Sequence, residues 1–264
     1  DQAVTFSKAN ATPSSWQSGQ EEILAGPGDW TIWRAPTDND RVIVAEWRQA
    51  NYDHSQVRVH SLRAETLHHQ VYLHFEAVIA GVGRQPALSF QGHWCLDQEG
   101  RLKLSLEGHR PKEMVELPRF GLVLPMVDAD RVFYIGYGPY ENYVDKHHSS
   151  YWGYFEQSAQ DLYEPYVTPQ ENGAHQVTKL AVQQGPLALS VASSHSLPFN
   201  LSPYSTRQLS QARHRDELVE EDVYYLHLDY RQAGIGSNSC GPRLLPEYRL
   251  DQANFKLDWT FELR

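Results

Sequence analysis

The stretch "NFKLDWTFEL", from Asn254 to Leu263, shows most plainly what kind of fold the chain adopts. Its odd-numbered positions are all apolar, and its even-numbered positions are mostly polar or charged. The apolar positions are Phe255, Leu257, Trp259, Phe261 and Leu263. A period of two residues places successive side chains on opposite faces of an extended backbone. The stretch is therefore predicted to be a β-strand with one face in the core.

The same alternation recurs along the chain. In "HQVYLHFEAVIA" the odd positions from Val71 to Ile79 are apolar, and "HWCLDQEGRLKLSLEGH" predicts a hairpin with a polar turn at Asp97 to Gly100. Further strands are predicted at 57–65, 120–127, 132–137, 151–157, 177–182, 187–192 and 224–230. Turn residues separate all of these short segments.

Helical signals are few by comparison. We predict two short helices, one over Val42 to Ala50 and one over Thr206 to Leu218 with Thr206 as its N-cap. Short strands without helices between them indicate antiparallel sheets packed as a sandwich. Since no repeat or linker interrupts the pattern, we expect one mainly β domain over residues 1–264.

Composition narrows the class of protein further. The 264 residues are 41% hydrophobic, enough for a substantial core, and the net charge of -10 argues against binding nucleic acid or an anionic membrane. We find no apolar stretch long enough for a membrane span and no secretion signal. The two cysteines, Cys95 and Cys240, lie far apart and indicate neither a disulfide framework nor a metal site, so a reducing cytoplasm is the expected location. The first residue is not Met, which suggests that something larger precedes this chain.

Four polar stretches stand apart from the strand pattern, and all of them fall at predicted strand ends. They are "WRAPTDND" (33–40), "GYGPYENYVDKHH" (136–148), "YVTPQENG" (166–173) and "GIGSNSCGPRLLPEYRL" (234–250). Loops at one end of a sandwich can converge on a site. Asp, Asn, Gly and Pro are also the residues that turns require, so a purely structural role is the alternative.

The carboxylates of these stretches are candidates for the acid and base of a glycosidase, which needs two carboxyl groups across the scissile bond. They are Asp38, Asp40, Glu141, Asp145 and Glu171. Sequence spacing does not place any two of them at the required separation, and such groups often accept backbone N–H bonds instead. His147 and His148 are adjacent, which disfavours a shared metal ion and indicates a solvated loop end.

Taken together and in this order, the four stretches resemble the C-terminal domain of β-galactosidases of glycoside hydrolase family two. The family's W-R-A-P-x-D-N-D, G-x-G-P-x-E-N-Y-x-D-[RK] and Y-x-x-P-x-E-N-G motifs are similar to the first three stretches, and its closing loop is similar to Gly234 to Glu247. The resemblance covers nearly the whole chain. It implies a large antiparallel supersandwich of the galactose mutarotase-like type.

The resemblance also implies a division of labour. In the family the catalytic glutamates and the magnesium ligands belong to a barrel, so this chain is expected to hold no catalytic residue and no metal, with Mg and Na in the barrel. The implied partners are that barrel domain or large subunit, a galactoside such as lactose, and other copies in an oligomer.

The closing loop is the part of the chain that the resemblance places against substrate. Cys240 stands where some members have a Trp that stacks on the sugar, so Asn238, Ser239 and Cys240 are the predicted substrate-binding residues. The pocket-facing or interface residues that it implies are Arg34, Asp38, Asn39, Asp40, Glu141, Asn142, Tyr143, Asp145, Glu171 and Asn172.

Three functional hypotheses follow. The first is a noncatalytic module of a β-galactosidase, either an excised terminal domain or a natural small subunit. The second is an autonomous mutarotase-like enzyme, which requires a Glu/His pocket in a concave sheet. The third is a carbohydrate-binding module, which requires a flat platform of exposed Trp or Tyr. The first accounts for all four polar stretches at once.

Overall fold

The computed structural model describes residues 2–237 and 241–264, and about half of them lie in β-strands. The strands are β1 (Gln2–Phe6), β2 (Pro13–Ser18), β3 (Glu21–Glu22), β4 (Asp29–Thr31), β5 (Ser55–Leu67), β6 (Gln70–Gly81), β7 (Pro86–Leu96), β8 (Leu102–His109), β9 (Arg119–Met126), β10 (Arg131–Gly138), β11 (Tyr151–Ser158), β12 (His175–Gln184), β13 (Leu187–Ser202), β14 (Tyr224–Gln232) and β15 (Asn254–Leu263). The helices are α1 (Ile43–Gln49) and α2 (Thr206–Gln211), with short 3-10 helices at Asp38–Asp40, Tyr52–His54, Gln160–Leu162, Arg215–Glu217 and Pro246–Tyr248.

One large antiparallel sheet of 12 strands organises the molecule, and a 3-stranded sheet of β1, β2 and β3 accompanies it. The long strand β13 is the branch point. Its first half pairs with β15, which leads through β8, β7 and β6 to β5, and its second half pairs with β14, which leads to β9 and β4. The sheet thereby divides into two layers that face each other.

Aromatic side chains fill the space between the two layers. Trp30 of β4 lies 5.9 Å from the ring of Phe120 of β9 at an interplanar angle of 12°, and it also contacts Phe75 of β6 and Phe90 of β7. All four side chains are buried. Each contributes roughly 1.5–3 kcal/mol through removal of apolar surface from water.

The predicted strands and the predicted mainly β, antiparallel architecture are confirmed. The quoted stretch forms β15, and its apolar positions are all buried while Asn254, Lys256 and Asp258 are exposed. The hairpin around Asp97 is β7 and β8. Helix α1 lies within the predicted 42–50 segment.

The second predicted helix is wrong in its length and in its cap. Helix α2 ends at Gln211, and Ala212 is already extended with φ of -68° and ψ of 135°. Leu209 is the one buried side chain of this helix, so tertiary packing gives little reason for it to continue. The cap is Ser205, whose hydroxyl oxygen accepts a hydrogen bond from the Gln208 N–H at 3.3 Å.

Candidate functional site

The four polar segments meet at one end of the fold and line a cleft of about 450 Å³, which we call the polar cleft. Its lining residues are Thr37, Asp38, Asn39, Asp145, Lys146, Tyr166, Gln170, Glu171, Ile235 and Gly236. They come from the segment after β4, the β10–β11 connection, the segment before β12 and the segment after β14. The four segments therefore converge on one site.

The first segment is held by a buried ion pair between Arg34 and Asp40. Nη2 and Nε of Arg34 donate to the two carboxylate oxygens of Asp40 at 2.6 and 3.1 Å, and Nη1 donates to the carbonyl of Ala233 at 2.6 Å. Asp40 also accepts from the N–H of Thr37 at 2.9 Å. The pair closes the turn and fastens it to the end of β14.

Asp38 and Asn39, which lie between these partners, are left at the edge of the polar cleft. The backbone N–H of Asp38 donates to the Gln170 side chain at 3.0 Å, and the Asn39 amide donates to the carbonyl of Ile235 at 2.5 Å. The Asp38 carboxylate is exposed. The first segment is thus joined to the third and fourth segments through these two residues.

Asp145 anchors the "GIG" turn from the opposite side of the polar cleft. Its two carboxylate oxygens accept from the backbone N–H groups of Ile235 at 2.9 Å and Gly236 at 2.8 Å. A Cβ atom at Gly234 would lie 2.4 Å from the same carboxylate. A larger residue at position 234 would therefore displace the carboxylate from its two N–H groups, so the motif Asp and the motif Gly form one unit.

Glu141 is buried and bound on both oxygens. Lys146 Nζ donates to it at 2.5 Å, the Tyr166 hydroxyl donates to the same oxygen, and the Gly173 N–H donates to the other at 2.8 Å. Although burial of Lys146 opposes its charge, the hydrogen bond to Glu141 raises the Lys146 pKa. Burial, together with that same carboxylate, also raises the pKa of Tyr166.

The asparagines of the motifs serve the backbone. The Asn142 side chain donates to the carbonyls of Tyr137 and Tyr140 and accepts from the N–H of Gln176 at 2.8 Å. The Asn172 side chain likewise accepts from the N–H of Glu164 at 3.0 Å. Both side chains bind backbone N–H or C=O groups that have no regular backbone partner in these irregular loops.

Tyr143 belongs to the same motif but is packed inside the fold. It forms a small buried cluster with Ala174 and Ile235, and burial raises its pKa well above the usual value for tyrosine. Its hydroxyl has no hydrogen-bond partner within the described residues. The Tyr143 ring therefore acts as a spacer between the second and fourth segments.

Glu171 extends the polar cleft into a group of buried charges in the core. Its carboxylate accepts from Nη1 of Arg119 at 3.0 Å, and Arg119 also binds Asp229 and the side-chain oxygen of Asn200. Arg119, Glu171 and Asp229 are each at most 2% exposed. Burial raises the pKa of Glu171, and the nearby Asp229 carboxylate adds to that effect.

The contacts of Glu141 and Glu171 decide what these two carboxylates do in the fold. Each binds a cation and at least one further hydrogen-bond donor, and each joins two segments of the chain. Ion pairs of this kind fix loop geometry. Around the polar cleft, Asp38 offers the carboxylate that is open to solvent.

The predicted substrate-binding residues Asn238, Ser239 and Cys240 lie outside the described residues. The residues that lead into them, Ile235 and Gly236, line the polar cleft. His147 and His148 lie in the loop that was expected to hold them, and their rings stack at 4.8 Å. Across residues 2–237 and 241–264, no group of three or more His, Cys, Asp or Glu side chains is arranged to hold a metal ion.

Sequence reasoning missed several residues that support the polar cleft. They are Arg119, Asn200 and Asp229, together with Lys146, Tyr166 and Gln170, which were quoted in motifs without a role. Arg119 did leave a signal in the sequence, since it directly precedes the apolar strand predicted at 120–127, and the structure includes it in β9. A charge on a buried strand requires a partner.

A family model described as β-galactosidase small chain matches residues 1–263. Among curated relatives, a β-galactosidase of Actinobacillus pleuropneumoniae is 38% identical over 236 residues, which cover 89% of this chain and 23% of the relative. A β-galactosidase of Staphylococcus xylosus is 34% identical over 265 residues, covering 100% of this chain and 26% of the relative. The chain thus spans about a quarter of the length of these relatives.

Solved structures resemble the fold at low sequence identity. A galactose 1-epimerase from Lactobacillus acidophilus NCFM superimposes with a TM-score of 0.54 at 11% identity, covering 100% of this chain and 91% of that one. A galactose mutarotase related enzyme from Lactobacillus acidophilus gives a TM-score of 0.50 at 8% identity, with coverage of 100% and 94%. The galactose mutarotase-like fold class is confirmed.

No helix in the described part of the chain is long and apolar enough to cross a membrane.

Proposed function

The chain belongs to the β-galactosidase small-chain family, and from this premise we propose that it is a noncatalytic module of a β-galactosidase of glycoside hydrolase family two. The observation that carries the proposal is the length of the chain compared with the length of its relatives. The family model matches the chain from end to end, yet the chain spans about a quarter of its curated relatives. The catalytic glutamates, and the Mg and Na ions, would then belong to the remaining three quarters.

The module would pack against the catalytic barrel with the end that carries the polar cleft. Ion pairs hold the first three segments and Asp145 holds the fourth through its backbone N–H groups, which gives the rigid surface that a pocket wall requires. In the sequence, Asn238, Ser239 and Cys240 come shortly after Ile235 and Gly236, and they would complete the pocket for a terminal β-D-galactoside such as lactose. Hydrolysis would proceed in the barrel with retention, through two displacements.

The contacts of the motif carboxylates support this division of labour. A general acid or nucleophile must reach the substrate, whereas Glu141 and Glu171 bind Lys146 and Arg119 within the module. The enzyme would act in the cytoplasm as an oligomer. The module would contribute pocket shape and position, while proton transfer would be left to the barrel.

The test is hydrolysis of a chromogenic β-galactoside by the chain alone and after mixing with a barrel-containing partner that lacks this region. We expect no turnover alone and turnover after mixing. Turnover by the chain alone that is lost in Glu141→Gln or Glu171→Gln would overturn the proposal. Anomer interconversion of galactose by the chain alone, followed by NMR, would support an autonomous mutarotase-like enzyme instead.

A further inference from the structure

The exposed aromatic side chains are concentrated in one part of the surface. In the described part of the chain, the large aromatic residues that are exposed are Tyr140, Tyr151, Trp152 and Tyr154, and all four lie on β11 or in the loop before it. Trp152 is 50% exposed and Tyr154 is 66% exposed. Single exposed apolar residues are normal, but a cluster of Trp and Tyr marks an interaction surface.

Strand β10 extends this cluster into a continuous patch. In the register of β10 and β11, Tyr137 lies across from Trp152 and Ile135 lies across from Tyr154, so their side chains share the outer face. The Tyr137 and Trp152 rings are 5.5 Å apart at 86° to each other. We call these four residues the aromatic patch.

Strand β11 is also an open edge of the large sheet. Within residues 2–237 and 241–264 it pairs only with β10, through eight consecutive residue pairs without a bulge. Its sequence, "YWGYFEQS", contains no Lys and no Pro. Exposed edge strands usually carry such residues or a bulge, since unpaired backbone N–H and C=O groups can accept a further strand.

We propose that β11 pairs with β11 of a second copy of this chain, antiparallel about a two-fold axis at Gly153. In this register Trp152 lies across from Tyr154 of the second copy, and Tyr151 lies across from Phe155. Aromatic cross-strand pairs stabilise antiparallel strands. A two-fold axis forms every such contact twice.

The charges on the strand agree with this register. Glu156 is the one charged residue of β11, it pairs with Arg131 of its own chain, and it would lie across from the neutral Ser150. Like charges therefore do not oppose each other. A flat sugar platform fits the patch less well, because the perpendicular Tyr137 and Trp152 rings form a corner. The contact does not depend on the proposed function.

The first experiment measures self-association of the chain by sedimentation velocity over a concentration series. Trp152→Lys and Tyr154→Lys should each raise the dimer dissociation constant at least about tenfold, or ~1.4 kcal/mol. Val219→Lys is the matched control, because Val219 is 68% exposed but lies away from the patch. A chain that remains monomeric, or a dimer that all three variants weaken equally, overturns the proposal.

The second experiment tests the register and does not depend on how the Lys variants fold. With Cys240 replaced by Ser, Gly153→Cys should form an intermolecular disulfide, because opposed Cα atoms in antiparallel strands lie about 4.5–5.5 Å apart. Ser158→Cys on the same strand is the control, since its two copies would be roughly 33 Å apart. Equal cross-linking of both variants contradicts the register. If Trp152→Lys blocks binding of a barrel partner while the chain stays monomeric, the patch serves that partner instead.

Discussion

Arg119 and Asp229 form a bidentate ion pair through hydrogen bonds of 3.1 and 2.6 Å, and neither side chain has any exposed surface. They lie on the paired strands β9 and β14. The third nitrogen of Arg119 holds Glu171, which belongs to a segment of the polar cleft. The loop is therefore fastened to the core sheet through a cation that no motif contains, and the shape of the cleft depends on the interior of the fold.

Arg119→Met should be among the most destabilising substitutions in the chain. It leaves the carboxylates of Glu171 and Asp229 buried without their cation, and loss of one partner from a buried pair costs about 3–5 kcal/mol. The measurement is urea unfolding followed by tryptophan fluorescence. Arg131→Met, which breaks an exposed pair with Glu156, should cost less than ~1 kcal/mol. Similar losses in both variants would show that the buried pair is not what holds the segment.

Gly173→Ala should be far more damaging than Gly83→Ala, although both glycines have φ near +70°. The left-handed backbone costs both alanines about 1–2 kcal/mol. At position 173 the new Cβ would also lie 2.1 Å from the carbonyl oxygen of Leu162, whereas at position 83 it meets open space. We expect the difference in unfolding free energy between the variants to exceed about 1 kcal/mol. Equal stabilities would mean that the Leu162 backbone moves away from the new Cβ without a loss of unfolding free energy.

Asp145→Ala should loosen the fourth segment without unfolding the protein. The backbone N–H of the buried Ile235 loses its acceptor, which costs roughly 1–3 kcal/mol for a group shielded from water, whereas the exposed Gly236 can donate to solvent instead. Amide hydrogen exchange at these two residues should accelerate, while exchange in the core strands stays slow. Asp38→Ala is the control, because that carboxylate is exposed. Unchanged exchange at Ile235 and Gly236 would remove Asp145 as their anchor.

The strands and the positions of the four segments could be predicted from sequence because both depend on local pattern. Alternation of apolar residues determines which face of β15 is buried, and Gly, Pro, Asn and Asp mark the turns between strands. Pairing between distant residues has no such local signal. Arg119 and Asp229 are 110 residues apart, and Asp145 and Ile235 are 90 apart, so the ion pairs and anchors of the polar cleft appeared only in the structure.

The same limit explains why helix α2 was predicted too long. The segment from Thr206 to Leu218 has good intrinsic helix propensity, but a short helix needs a packed face to persist. The structure gives α2 a single buried residue, Leu209. Two residues that follow the helix, Val219 and Glu221, bind the side chain of Gln208, the first through its N–H and the second through its carboxylate. These contacts fold the segment back on itself.

Stability should fall at acid pH partly because of Asp97. Burial alone would raise its pKa, but hydrogen bonds from Lys103 and Arg101 lower it to about 2. A carboxyl group with a lowered folded-state pKa contributes stability that is present above its unfolded value and lost as pH falls through the folded value. The loss should therefore occur between pH about 4 and about 2. Asp97→Asn should be less stable than the parent at neutral pH, and the difference should shrink across this range. A constant difference would contradict the assignment.

Cys240→Trp tests whether the closing loop forms part of a galactoside pocket. A thiol offers little surface to a sugar, whereas an indole covers the apolar face of the ring and gains about 25 cal/mol for each Å² of apolar surface removed from water. In the chain reconstituted with the proposed barrel partner, the substitution should lower KM for a galactoside several-fold while leaving kcat within about twofold, since the added contact is made equally in the ground and transition states. Cys240→Ser is the matched control, because it removes the thiol without adding surface. If the Trp and Ser variants have the same KM as the parent, the loop lies away from the sugar.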